Sequence, residues 1–206
     1  MSYSSLQQLF EENEKESIEL HLVKRGVDPN RIHLLVDKDS NTATFLIFNL
    51  SGKLIGYQQY NPSGEKSFRQ TKNEKYKDLA KYWTYVTKSG EHNTTRQIAV
   101  WGLDTYDWTN ELFLTEGIFD CSKIHNAGYA AIATLSNDPA PIREWLNVIK
   151  QQKRVIAILD NDKSNNAGNA LKKFAKESYT TPDPYKDLGE MPQDEVNKFI
   201  NSILSQ

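Results

Sequence analysis

Apolar and polar positions follow two different rhythms in the two halves of the chain. In the first half, LQQLFEENEKESIELHLVKR reads as a helix capped by Ser4 or Ser5 and stopped at Gly26, with Pro29 just beyond. Leu6, Leu9, Phe10, Leu20 and Val23 supply its apolar face. Residues 43–60 then read as a hairpin: ATFLIFNL is apolar and β-prone, Ser51-Gly52 turns the chain, and KLIGYQQY returns. From Asn61 to Asn93 the sequence is polar, basic and dotted with Phe68, Tyr76, Tyr82, Trp83 and Tyr85, and it reads as partly helical.

Beyond Arg96 short apolar runs alternate with helical stretches. IAVWGL (98–103), LFLTEG (112–117), AAIATL (130–135) and VIAILD (155–160) are strand-like. FDCSKIHNAG is a helix ending at Gly128, PIREWLNVIKQQ an amphipathic helix opened by Pro139 or Pro141, AGNALKKFAKES a further helix, and PQDEVNKFINSIL a last one with Pro192 at its start. Strand–helix repetition at this spacing argues for parallel pairing through right-handed crossovers. The expected fold is α/β: a mainly parallel sheet with helices on both faces over residues 97–206, preceded by a smaller α+β subdomain over 1–96.

A chain of 206 residues can bury a core without disulfides or a structural metal. Its single cysteine, Cys121, excludes a disulfide framework and a Cys-rich zinc site, and fits a reducing, cytoplasmic setting. The start, MSYSSLQQLFEENEKE, has neither the basic nor the apolar region of a signal peptide, and no apolar run is long enough to span a membrane. The net charge of −2 advertises no global affinity for nucleic acid. Residues 53–96, however, hold nine Lys/Arg against four acids, which makes either a solvated loop or a cationic surface. His92 and His125 have no partner at ligand spacing and read as surface residues; Cys121 reads as a small buried side chain.

The chemistry-bearing residues are acids at strand ends. One strand ends Leu-Thr-Glu116-Gly117, with Asp120 on the following turn; another ends Leu-Asp160-Asn161-Asp162. In open α/β sheets ligands bind beyond the carboxyl ends of the strands. If these two strands are neighbours, their carboxylates converge, repel one another, and are relieved by a divalent cation such as Mg²⁺. An EF-hand does not account for the second run, because the sixth loop position is Asn165 and the twelfth is Leu171.

The run TEGIFDCSKIHNAGYAAIATLS resembles the first motif of the TOPRIM family, and VIAILDNDKSNNAGNALKKFA resembles its second, with three extra residues between Asp162 and Ala167-Gly168. PYKDLGEMP is similar to the Lys-Asp-x-x-Glu segment of the primase versions. Upstream, ELHLVKRGVDPNRI, FLIFNLSGKLIGYQQY and IAVWGLDT resemble segments of the catalytic core of bacterial and phage-type DNA primases, with Gln58 and Gln59 where primases usually place an Arg. The resemblance implies a compact α/β sheet, Glu116 as general acid/base or metal-site carboxylate, Asp160 and Asp162 as holders of Mg²⁺ (or Mn²⁺), and Asp120 and Asp187 as supporting acids, with Glu190 beside them.

On that reading the chain joins ribonucleotides on single-stranded DNA. Lys66, Arg69, Lys72, Lys75, Lys77 and Lys81 form the cationic surface for the template, interleaved with aromatic rings for stacking. Neither a cysteine-based zinc module nor a P-loop is present in the sequence, so template recognition and unwinding would come from a zinc-binding partner or a helicase in trans. Two alternatives use the same acids differently: a TOPRIM nuclease, and a non-catalytic nucleic-acid-binding replication protein.

Overall fold

The computed structural model describes residues 16–30, 33–49, 51–65, 79–89, 95–96, 100–135, 143–161 and 171–206. The expected Ser4/Ser5 cap and the face built on Leu6, Leu9 and Phe10 lie outside these residues, as do the first four residues of AGNALKKFAKES.

Helix α1 spans Ile18–Lys24. Ser17 is its N-cap, with φ −64° and ψ 143°, and its hydroxyl accepts the Leu20 N–H at 3.3 Å. Among the described residues the helix begins at Ile18 and does not extend back through Ser17, because a capping hydroxyl competes for the backbone. The face is also corrected: Ile18 and Leu22, four residues apart, are buried, whereas Leu20 and Val23 are exposed. Gly26, at φ 79°, ends the helix where expected.

Four strands follow as an antiparallel meander: β1 (Leu34–Asp37), β2 (Thr42–Phe48), β3 (Leu54–Tyr60) and β4 (Tyr82–Val86). In β2 the alternate residues Ala43, Phe45 and Ile47 are buried, so one face meets the core. The expected hairpin over 43–60 is present. Its turn is set by Asn49, whose Oδ1 accepts the N–H groups of Ser51 and Lys53. Of the segment 61–93, read as partly helical, residues 66–78 and 90–93 lie outside the described residues; the rest contains a 3-10 residue at Leu79, β4, and the start of a two-stranded ribbon, β5 (Lys88–Ser89) with β6 (Thr95–Arg96). β-branched and aromatic residues in YWTYV favour the pleated edge of the meander over a helix.

The second sheet is parallel. Strand β7 spans Glu111–Thr115, helix α2 Ile118–Asn126, β8 Ala130–Ala133, helix α3 Arg143–Gln152, β9 Arg154–Leu159, β10 Glu177–Thr180 and helix α4 Gln193–Leu204. The strand order is β10-β9-β7-β8, all parallel. Alternate residues enter two different cores. Phe113, Ala131, Ala133, Ile156 and Ile158 pack on the side of α2 and α4; Leu112, Leu114, Ile132, Val155 and Ala157 pack on the side of α3. Helices thus cover both faces, as expected.

Two details depart from the sequence reading. Glu177 and Ser178, read as the end of a helix, are the start of β10, where Arg154 of β9 grips Glu177 through two bonds of 2.8 and 2.7 Å. The run IAVWGL contributes no strand among its described residues, only single bridges Val100–Phe48 and Trp101–Ala133 that connect the two sheets. The α1 residues Ile18 and Leu22 and the meander residues Phe45 and Tyr60 join the same core cluster as α2 and α4.

Candidate active site

The chain runs from β7 through α2 to β8 on one side, then returns through α3 to β9 on the other side of β7. The strand order therefore reverses between β7 and β9, the position at which open α/β sheets form a crevice. Glu116 follows β7 and Asp160 follows β9, so the two lie at neighbouring strand ends. One carboxylate oxygen of Glu116 is buried.

Asp120 lies in the first turn of α2 and is 8% exposed. Gly117, the N-cap, explains the Glu-Gly pair: a Cβ there would come within 2.9 Å of Asp120 Oδ2. The other oxygen, Oδ1, accepts the Gly189 N–H at 2.9 Å. Burial, then Asp187, then Asp160 push the Asp120 carboxyl up to about 8, against the opposing pull of the Gly189 N–H and Arg25. Carboxylates from three separate segments of chain therefore share one field.

Asp187 caps the 3-10 turn Leu188–Glu190, its Oδ1 accepting the Glu190 N–H at 2.9 Å. The loop that carries it is tied to the end of β9 twice. Asn161 N–H donates to Lys186 O at 2.7 Å, and Asn161 Nδ2 donates to Asp183 Oδ1 at 2.8 Å. Glu190 is exposed. Among the described residues, no three His, Cys, Asp or Glu side chains converge closely enough to hold a metal ion by themselves. Asp162 lies outside the described residues, as do Lys66, Arg69, Lys72, Lys75 and Lys77. Lys81 immediately precedes β4, whose first residue, Tyr82, feels both Asp187 and Asp120; burial raises the Tyr82 hydroxyl strongly.

Two cations at the site were missed in the sequence. Arg25, at the end of α1, stacks its guanidinium 4.3 Å from the centroid of Phe119, and its Nε is buried with no hydrogen-bond partner among the described residues. A Cβ on Gly189 would meet Arg25 Nη2 at 2.8 Å and Asp187 Oδ1 at 3.1 Å, so the two charges border the same glycine. Lys123, one turn beyond Asp120, is 5% exposed, and burial together with Arg25 lowers its pKa. The signal for Arg25 was the Arg-Gly pair closing a helix; nothing in the local pattern marks Lys123. Gln58 and Gln59 are both buried in the meander, Gln58 donating to Thr84 Oγ1 at 2.9 Å. His125 is not at the surface as expected: it is buried, its Nε2 lying 2.9 Å from Ala131 O, and Cys121 is buried beside it as expected.

No protein-family profile and no curated protein sequence matches the chain. Solved structures do. The RNA polymerase domain of the Mycobacterium tuberculosis primase DnaG is similar, with a TM-score of 0.55 at 14% identity over 98% of this chain and 66% of that one. A DnaG primase catalytic domain bound to single-stranded DNA gives 0.56 at 15% identity, over 90% and 57%. The primase fragment of the bacteriophage T7 primase-helicase protein gives 0.50 at 15% identity, over 80% and 62%. The chain spans about two thirds or less of the length of these three structures. At these identities the likeness establishes the fold: that of a bacterial and phage primase catalytic core. No helix among the described residues is long and apolar enough to cross a membrane.

Proposed function

We propose that the chain is a primase-type nucleotidyltransferase core that joins ribonucleotides on single-stranded DNA with Mg²⁺. The observation that carries this reading is the acidic crevice at the strand-order reversal. There burial, with Asp187 and Asp160 adding to it, pushes the Asp120 carboxyl up to about 8, and Glu116 stands at the adjoining strand end.

The donor set fits a hard divalent cation. Mg²⁺ is commonly held by one or two carboxylates completed by water and phosphate oxygens, so a set short of three protein ligands suits it, and its charge relieves carboxylates that repel one another. Asp160 and Asp187 would hold it, with Asp162 two residues beyond Asp160 in the sequence and Asp120 in support. When bound, the ion neutralises phosphate charge and aligns the reacting oxygens.

The chain's own residues supply the rest. Glu116 accepts the proton of the attacking ribose hydroxyl as its oxygen bonds to the incoming α-phosphorus; the bond to the bridging oxygen breaks and pyrophosphate leaves. Arg25, fixed on Phe119 and facing the acids, presents a cation to the phosphates. Single-stranded template would run along the basic stretch that ends at Lys81. A zinc-binding template module or a helicase would act in trans. A reading as a metal-dependent nuclease uses the same carboxylates, so the assay must separate the two.

The test is incorporation of labelled ribonucleotides on single-stranded DNA with Mg²⁺, comparing wild type with Glu116→Gln and Asp160→Asn. Short RNA made by the wild type alone is expected. Synthesis that survives both substitutions would overturn the assignment, and Mg²⁺-dependent cutting without incorporation would replace it with hydrolysis.

A further inference from the structure

A cavity of about 470 Å³, apart from the acids of the crevice, lies between the meander and the segment 100–107 with helix α3. That volume lies within the range of about 300–1,000 Å³ typical of small-molecule sites. None of the acids described above lines it. From the meander it receives His33 and Phe48, whose rings lie 4.3 Å apart; from the other side it receives Tyr106 and Trp145, 6.0 Å apart. His33 takes a left-handed backbone, φ 76°, which is uncommon for a residue with a side chain and needs support from its surroundings. Its carbonyl is held by the Leu46 N–H at 2.9 Å.

Two carboxylates, Asp104 and Asp107, stand at the same wall, and no Lys or Arg is among the described residues lining it. The nearby Lys153 is committed to the carbonyls of Tyr106 and Thr109, at 2.8 and 2.7 Å. Asp107 is exposed and has no hydrogen-bond or ion-pair partner among the described residues.

We propose that this cavity binds a guanine base. Aromatic walls on two sides suit a planar heterocycle by stacking. The absence of a lining cation disfavours a phosphate there. A carboxylate only accepts hydrogen bonds, and guanine offers N1–H and the N2 amino group side by side, a paired donor edge that Asp107 accepts. Adenine presents a ring acceptor beside its amino group and places a lone pair against the carboxylate. The base can come from a free nucleoside or from an unpaired position in a nucleic-acid strand; the recognising chemistry is the same. The site needs no metal and no turnover, so it stands or falls separately from the polymerase reading.

The experiment is tryptophan-fluorescence titration of the full chain with guanosine and with adenosine, without divalent cation, repeated on Asp107→Asn and Trp145→Leu, with circular dichroism to establish that each variant is folded. Guanosine is expected to bind saturably, and adenosine at least about tenfold more weakly. Asp107→Asn, a surface change that keeps the side-chain shape, is expected to lose about tenfold in guanosine affinity, in line with removal of a charge-assisted pair of hydrogen bonds. A short oligothymidylate carrying one guanine is the second arm. Tighter binding than guanosine, weakened by Asp107→Asn, assigns the base to a strand; binding no tighter than guanosine assigns it to a free nucleoside. No saturable response to guanosine, or equal affinity for both nucleosides unchanged by Asp107→Asn, overturns the proposal.

Discussion

Replacing Asp120 by Asn removes a charge while keeping the shape and the acceptor for the Gly189 N–H, which lies 2.9 Å from Oδ1. The carboxyl is pushed from 3.8 to about 8 by burial, Asp187 and Asp160. A raised acid favours the folded state at low pH, where it is protonated in both states, and that advantage is lost as pH climbs toward the folded value. Between about 4 and 8 the unfolded chain releases the proton and the folded chain keeps it, so wild-type stability falls with pH relative to the variant. At about 1.4 kcal/mol for each tenfold of proton affinity, the handicap is about 2 kcal/mol at pH 5 and about 4 kcal/mol at pH 7. Urea denaturation followed by tryptophan fluorescence in EDTA, at pH 5 and pH 8, reads this directly. Asp120→Asn should exceed wild type by several kcal/mol at pH 8 and by less than half as much at pH 5, and Mg²⁺ should narrow the gap. A difference that does not change with pH, or a variant less stable than wild type at pH 8, would refute the account of a carboxyl held against its neighbours' charge.

Three further outcomes are expected. Leu22→Ala should cost about 2–5 kcal/mol in the same denaturation assay, because the side chain is fully buried in the cluster that joins α1 to α2 and α4. Gly102→Ala should destabilise by about 2 kcal/mol or more, since Gly102 sits at φ 98° and a Cβ would lie 2.5 Å from Ala131 O. Arg25→Gln should lower ribonucleotide incorporation by about tenfold or more with the fold retained by circular dichroism. Arg25→Lys should restore only part of it, because an ammonium keeps the charge without the planar stack on Phe119.

The parallel sheet was the most legible part of the chain. Strands buried on both faces carry continuous apolar runs, and LFLT and VIAIL have no other economical reading. Glu116 and Asp160 could be placed at one sheet edge because they follow such runs directly, and Asp120 because it lies one turn further on. The first helix was less legible, since the polar run EENEKES before Ile18 suits an exposed helical stretch as well as a break, and only the cap geometry and the 2.7 Å bond from the Ile18 N–H to Asn41 Oδ1 fix the start of α1. β10 was hidden because ESYT is short and polar on alternate positions; its strand character depends on parallel pairing with β9 and on Arg154. Lys123 and His125 owe their surroundings to segments far away in the sequence, Arg25 beside the one and Trp101 and Thr105 beside the other, which no local pattern encodes; for Arg25 the Arg-Gly pair marks the helix end but not the stack on Phe119.

Helix α2 has a second consequence. It is a single nine-residue rod, about 13 Å long at the usual rise. Its first turn carries Asp120 into the crevice. Its last turn carries His125, which stacks 5.4 Å from Trp101, itself a wall of the aromatic cavity. A rod braced at both ends cannot shift at one without shifting at the other. A ligand at the crevice that displaces this helix would displace the cavity wall with it, and the effect on affinity would then be reciprocal between the two sites.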